Sequence, residues 1–153
     1  MTQVEGNAQR VDRQIAFSAK LNWVEKKKGK LCADDVDSNL VVATPAAFGG
    51  EGHDWSPEHL FLGSIVSCYM STFIVFADKL RFQFEKLECE ATGIVEWVNG
   101  CYQFTILELH PCVWIDQKWE GRANIALEKT EKHCLISHSI KCRVEYFSKI
   151  VVI

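Results

Sequence analysis

Ser56-Pro57-Glu58-His59-Leu60-Phe61-Leu62-Gly63-Ser64-Ile65-Val66-Ser67-Cys68-Tyr69 is the stretch on which the fold turns. It opens as a helix start. Ser56 can cap the first turn, Pro57 suits the first helical position, and Glu58 favours the positive end of the helix dipole. The helical pattern continues to about Leu80, with a possible break at Gly63-Ser64. From Leu60 to Ala77 there is no charged residue. Such a run is just long enough to be a membrane candidate, but its glycine, serines and threonine, with weak aromatic-basic flanks, point instead to the buried centre of a soluble protein. A helix apolar on every side needs cover on every side. One layer of this size can hardly supply it, so a dimer is expected.

Outward from that helix, strand patterns stand on both sides. Residues 14–23 alternate, with Ile15, Phe17, Ala19, Leu21 and Trp23 on one face, which predicts a half-buried strand. Two short strands are expected near residues 30–33 and 39–44, before a glycine-bearing loop from Pro45 to Trp55. After the helix, Leu87, Cys89, Ala91, Val95 and Trp97 line one face of a long strand. Asn99-Gly100 predicts a tight hairpin, with a return strand over residues 101–115 in which Pro111 suggests an edge or a bulge. Asp116 can cap a second helix. Its stripe of Trp119, Ala123, Ala126, Leu127, Thr130 and Cys134 recurs at helical spacing. A last strand over about residues 141–147 closes an α+β chain, read as a single domain over 1–153.

The chain has 153 residues, 24% of them charged, and a formal net charge of −3. Without a basic face, nucleic acid is not an expected partner, and the lysines at 26, 27, 28 and 30 read as a solvated turn. Residues 1–13 are polar and lack an apolar signal-peptide core. Seven cysteines, an odd number without any CxxC spacing, point to a reducing cytoplasm with mostly free thiols. They also argue against a structural zinc site. The five histidines form no metal-ligand pattern, and residues 49–52 lack the lysine-serine pair of a phosphate loop.

Among the cysteines, Cys32, Cys89, Cys101, Cys112 and Cys142 read as small packed hydrophobes. Cys68 is either core packing or, if the helix restarts at Gly63-Ser64, a thiol in a first turn whose dipole and free N–H groups favour the thiolate. Cys134 ends the second helix on its apolar face, where it is either packing or one half of a thiol pair made by two helices. Glu58 either complements the dipole or orients a cation beside a thiolate. In one unbroken helix it would lie ~15 Å from Cys68 at 1.5 Å per residue. The two can share a site only across a break or through a second subunit. A Cys-His hydrolase has no local signature here.

Residues 56–69 resemble the first signature of the OsmC/Ohr family, the osmotically inducible and organic hydroperoxide resistance proteins. Leu127-Glu-Lys-Thr-Glu-Lys-His-Cys-Leu-Ile-Ser, ending at Ser137, is similar to the second. The resemblance implies an OsmC-like fold: antiparallel sheets wrapped around two long central helices in an intertwined homodimer with sites at the interface. It implies that Cys68 attacks the peroxide, that Cys134 is the resolving thiol, and that Glu58 salt-bridges an arginine beside the thiolate. It implies no metal or organic prosthetic group, an organic hydroperoxide substrate, and a dithiol reductant such as a protein-bound dihydrolipoyl group. Trp55, Phe61 and Tyr69 are candidates for an apolar mouth.

The chain departs from the pattern at the turn after the first strand. The family's arginine belongs there, and this chain has Val24-Glu25-Lys26-Lys27-Lys28-Gly29. Lysine supplies a point charge but no planar fork. A second reading is therefore an OsmC-like protein that binds a small ligand or senses redox state without peroxidase activity.

Overall fold

The computed structural model describes residues 14–153. The chain forms two compact units, one ending at Trp55 and one running from Ser56 to Ile153.

The first unit is an antiparallel sheet of β1 (Lys20–Glu25), β2 (Lys28–Ala33) and β3 (Val36–Ala43), in that order. Lys26 takes the left-handed conformation, φ 44°, in the turn between β1 and β2. The strand expected over residues 14–23 instead begins at Lys20 and runs on to Glu25. It is exposed throughout rather than half-buried. Among the described residues of this unit no second layer covers the three-stranded sheet, and Leu21 and Trp23 keep their apolar face open. The lysine turn is tied down by charge: Lys28 Nζ lies 2.9 Å from Asp54, Lys26 Nζ 3.2 Å from Glu51, and Lys27 Nζ donates to the Gly49 carbonyl at 2.7 Å.

The second unit is built on α1 (Pro57–Leu80). Ser56 caps it, accepting from the His59 N–H while the His59 ring accepts from the Ser56 N–H. Of the two readings left open for Gly63-Ser64, a break and a continuous helix, the second holds. Ser64 Oγ donates to the Phe61 carbonyl at 2.7 Å and Ser67 Oγ to the Gly63 carbonyl at 2.8 Å. These serines turn back onto their own helix and leave it continuous. The helix is also not buried all round. Ile65, Tyr69, Phe73 and Ala77 form its buried stripe, at a spacing of four, while Met70, Ile74 and Val75 remain exposed.

The hairpin of β4 (Lys86–Val98) and β5 (Cys101–Ile115) turns at Asn99-Gly100, both with positive φ, 51° and 88°. This is the geometry of a tight turn that follows the sheet's own twist. Asp116 accepts from the Lys118 N–H and starts a short 3-10 turn that leads into α2 (Glu120–His133). A short α3 (Leu135–Ser139), β6 (Arg143–Tyr146) and β7 (Lys149–Val152) complete the chain. Neither α3 nor β7 is legible as a separate element in the sequence pattern.

The sheet of this unit is mixed, which corrects the expectation of antiparallel sheets alone. β4 pairs antiparallel with β5, but β6 and β7 run parallel to β5 along its other edge. The helical connection α2–α3 between β5 and β6 acts as a crossover, and a crossover returns the chain in the same direction. Pro111 is therefore interior, buried, and paired with Cys89. Leu109 and Ile115 share its side of the strand, and their carbonyls accept from the Phe147 and Ile153 N–H groups. Pro111, which has no N–H, falls between the segments of β5 that pair with β6 and with β7. The one register shift of the hairpin is elsewhere, between Ile94 and Val95.

The core gathers the α1 stripe, Leu107, Leu109, Val113 and Ile115 of β5, and Ala123, Ala126, Leu127 and Cys134 of the α2 stripe. Beside it, Gly93 makes room for an aromatic stack. A Cβ at this position would lie 2.5 Å from the Phe104 ring, which packs on Phe61 with centroids 4.7 Å apart. Gly93→Ala is expected to destabilise the chain by about 1–3 kcal/mol through overpacking. The expected sign in urea denaturation is a lowered midpoint at unchanged slope.

Candidate active site

The site is assembled by two turns of polypeptide that the sequence separates by more than sixty residues. Cys68 sits in the middle of α1, one residue before the buried Tyr69, and is partly exposed. Cys134 lies at the junction of α2 and α3. It closes the buried stripe and has 0% of its surface exposed. Packing of the two stripes brings the thiols within hydrogen-bonding reach of each other. Both are free thiols, as are the other five cysteines.

The surroundings treat the two sulfurs differently. Burial pushes Cys68 up, but four donors outweigh it: the Ile136 backbone N–H, the Cys134 thiol, the Thr72 hydroxyl and the Leu135 backbone N–H. The net effect holds the Cys68 thiol below its ordinary value. Hydrogen bonds to the charged form favour it, and N–H groups freed after Cys134 are well placed donors. For Cys134 burial is the largest influence, and the neighbouring Cys68 adds to it. The Ser137 N–H and hydroxyl only partly offset them, so this thiol is raised. The arrangement can thus hold one sulfur as the thiolate beside another that keeps its proton.

Glu58 is not part of this constellation within one chain. Because α1 is unbroken, Glu58 stays ~15 Å from Cys68 along the helix axis. Its Oε2 is buried without a hydrogen-bond partner among the described residues. Among the described arginines, Arg122 donates to the Leu80 and Arg81 carbonyls, where it caps the end of α1, and Arg143 pairs with Glu145. Arg81 is the left-handed C-cap of α1. Of the residues suggested for an apolar mouth, Tyr69 is completely buried and faces Tyr146, with ring centroids 6.0 Å apart, so it lines no entrance. Phe61 is half-buried on Phe104, and Trp55 belongs to the first unit.

Of the five cysteines read as packing, Cys101 is exposed beside the hairpin turn. Cys89 sits against the core, and burial pushes it up to about 11. Among the described residues no group of three or more His, Cys, Asp or Glu side chains could hold a metal ion.

Several contributors went unread in the sequence. Thr72 follows Cys68 by one helical turn, a spacing that could have flagged it. Nothing local marks the N–H groups of Leu135 and Ile136 or the hydroxyl of Ser137 as partners, since they depend on how α3 turns away from α2. Alkylation by iodoacetamide, followed site by site, should show a half-point for Cys68 below the ordinary ~8.5 of a free thiol. Thr72→Val should move that half-point upward, because a donor to the thiolate is lost.

Comparison with known proteins agrees with this architecture. Residues 50–146 match the family model described as OsmC-like protein. YmaD of Bacillus subtilis (strain 168), described as uncharacterized, is 24% identical over 133 residues, covering 84% of this chain and 89% of its own. An OsmC-like protein from Mycoplasma pneumoniae has a TM-score of 0.78 at 13% identity, covering 91% of this chain and 99% of its own. An organic hydroperoxide resistance protein from Elizabethkingia anophelis has a TM-score of 0.72 at 18% identity, covering 93% and 99%. With a continuous match over well over half its length, this chain belongs to the OsmC-like protein family.

Proposed function

We propose that the chain is a thiol-dependent peroxidase that reduces organic hydroperoxides to alcohols. The observation that carries this reading is the pair of free thiols made by α1 and the α2–α3 junction, one held below the ordinary thiol range and the other above it. Structural neighbours named as organic hydroperoxide resistance proteins support the substrate class. The Cys68 thiolate attacks one peroxide oxygen, the O–O bond breaks, and the alkoxide leaves as the alcohol once protonated. Cys68 is then a sulfenic acid. The Cys134 thiol condenses with it, releases water and forms a Cys68–Cys134 disulfide. An external dithiol, such as a protein-bound dihydrolipoyl group, returns both thiols by exchange. Free thiols throughout suit a reducing cytoplasm.

The working form in this reading is a homodimer. Support comes from the exposed Met70, Ile74 and Val75 on an uncharged helix face, and from the Oε2 of Glu58, which finds no partner among the described residues. A second subunit would cover the former and bring Glu58 to the site as the third catalytic group. The missing arginine favours the alternative of a redox-sensing or ligand-binding protein. In the peroxidase reading, N–H and O–H donors stabilise the thiolate in its place.

Consumption of cumene hydroperoxide with a dithiol separates the two. Cys68→Ser should abolish it, and equal rates for the variant and the native protein would end the peroxidase reading. Cys134→Ser should give one turnover followed by over-oxidation of Cys68, seen by mass spectrometry as sulfinic acid. Light scattering should give twice the chain mass, and a monomer would count against the shared site.

A further inference from the structure

We infer that a basic strip along the seam of α1 and α2 docks an acidic protein, which carries the reducing dithiol to Cys68 on an arm of about 12 Å, eight helical residues at 1.5 Å each. This rests on the thiol-pair reading and adds the kind of partner and its landing surface.

α2 sorts its charges by flank. On one side of the buried stripe of Ala123, Ala126, Leu127 and Thr130 stand Glu120, Asn124, Glu128 and Glu131, and on the other Arg122, Lys129 and His133. Contacts fix where each flank looks. Ser148 donates to Glu131 at 2.8 Å, which turns the acidic flank toward the connection between β6 and β7. Lys129 Nζ lies 5.8 Å from the centroid of the Phe76 ring, and the His133 ring lies 5.3 Å from it, so the basic flank looks toward α1. Acids and bases alternate along the chain here, so the strip is visible only in the fold.

α1 adds cations of its own. Lys79 Nζ lies 5.5 Å from the same Phe76 ring. Farther along, Arg122 donates to the Leu80 and Arg81 carbonyls, and its guanidinium stands 5.1 Å from the Trp119 ring. Arg81 and Trp119 line a cavity of about 440 Å³ at that end, where Asp78 is the one carboxylate among the lining residues. Lys79, Arg81, Arg122 and Lys129 are exposed, and none has a carboxylate partner among the described residues. The chain as a whole carries a formal net charge of −3. An acidic partner is therefore attracted at this strip and repelled by the average of the surface, which orients its approach. Lys129 and Arg122 stand seven residues, ~10 Å, apart along α2. That spread suits several carboxylates on one protein surface rather than one small anion.

The strip leads to the thiols. Cys68, Thr72 and Phe76 follow at intervals of four along one edge of α1, and His133 directly precedes Cys134. Cys68 is partly exposed and Cys134 is not, so a dithiol swung from the strip meets Cys68. One reductant thiol, as its thiolate, attacks Cys68. The Cys68–Cys134 bond breaks, and Cys134 leaves with the electron pair. The second reductant thiol attacks the reductant sulfur of the mixed disulfide, closes a cyclic disulfide on the arm and releases Cys68. The two electrons and two protons of the dithiol end on the two cysteines.

The test forms the disulfide with diamide and confirms it by peptide mass mapping. Two synthetic peptides, each bearing a dihydrolipoyl-lysine, then reduce it: one rich in glutamate, its twin rich in glutamine. At ~0.01 M ionic strength the glutamate peptide should be at least about tenfold faster, and at ~1 M the two should agree, because the Debye length falls from about 30 Å to about 3 Å. Lys79→Gln combined with Lys129→Gln should erase the preference at low salt and leave the dithiothreitol rate unchanged, which excludes a folding defect. Equal rates for the two peptides on the native protein, or a preference that survives both substitutions, would overturn the proposal. So would competition by oligothymidylate stronger than that by the glutamate peptide without its dithiol, since the strip would then belong to nucleic acid. Failure of the native protein to form the Cys68–Cys134 bond at all would instead remove the thiol-pair reading, and the proposal with it.

Discussion

The burial of two apolar stripes against each other is the constraint on which everything else in the second unit depends. Ile65, Tyr69, Phe73 and Ala77 of α1 and Ala123, Ala126, Leu127 and Cys134 of α2 share one core with the inner face of β5. Small residues on α2 let the helices approach closely, and large ones on α1 fill the space toward the sheet. Cys134 is itself the last member of its stripe. Cys68 directly precedes Tyr69, a member of the other. The thiols therefore meet because the hydrophobic effect fixes the register of the helices. No separate interaction has to bring them together.

The same packing explains why two chemically identical side chains behave differently. Cys134 belongs to the buried face and pays for burial with a raised thiol. Cys68 stands at the edge of the stripe, where the chain leaves α2, turns, and presents the N–H groups of Leu135 and Ile136. Among the described residues, hydrogen bonds rather than a full positive charge lower it. That offers a physical route around the lysine turn, whose ammonium groups are committed to Glu51, Asp54 and the Gly49 carbonyl.

The mixed sheet ties this site to a second layer of polar groups. Because α2 and α3 form a crossover, β6 returns parallel to β5 and carries Tyr146 to the side of the Cys134 junction. An antiparallel return would have reversed that strand and placed other side chains there. The interior Pro111, at the place where pairing passes from β6 to β7, permits the change of strand without a stranded donor on β5.

Periodicity and local chemistry in the sequence determined the order of elements from the first strand to α2, the Ser56 cap, the Asn99-Gly100 turn, the return strand and the α2 stripe. Each of these is set by residues within a few positions of one another. The cysteines of the two signature stretches stood out only through the family resemblance, because by their places on a helix each read equally as core packing. The continuity of α1 through Gly63-Ser64, the exposure of β1, the parallel β6 and β7, and the donors around Cys68 belong to the tertiary structure alone. They are decided by contacts between segments far apart in the chain. A serine that bonds back to its own helix, or an N–H aimed at a sulfur sixty residues away, leaves no periodic mark in the sequence.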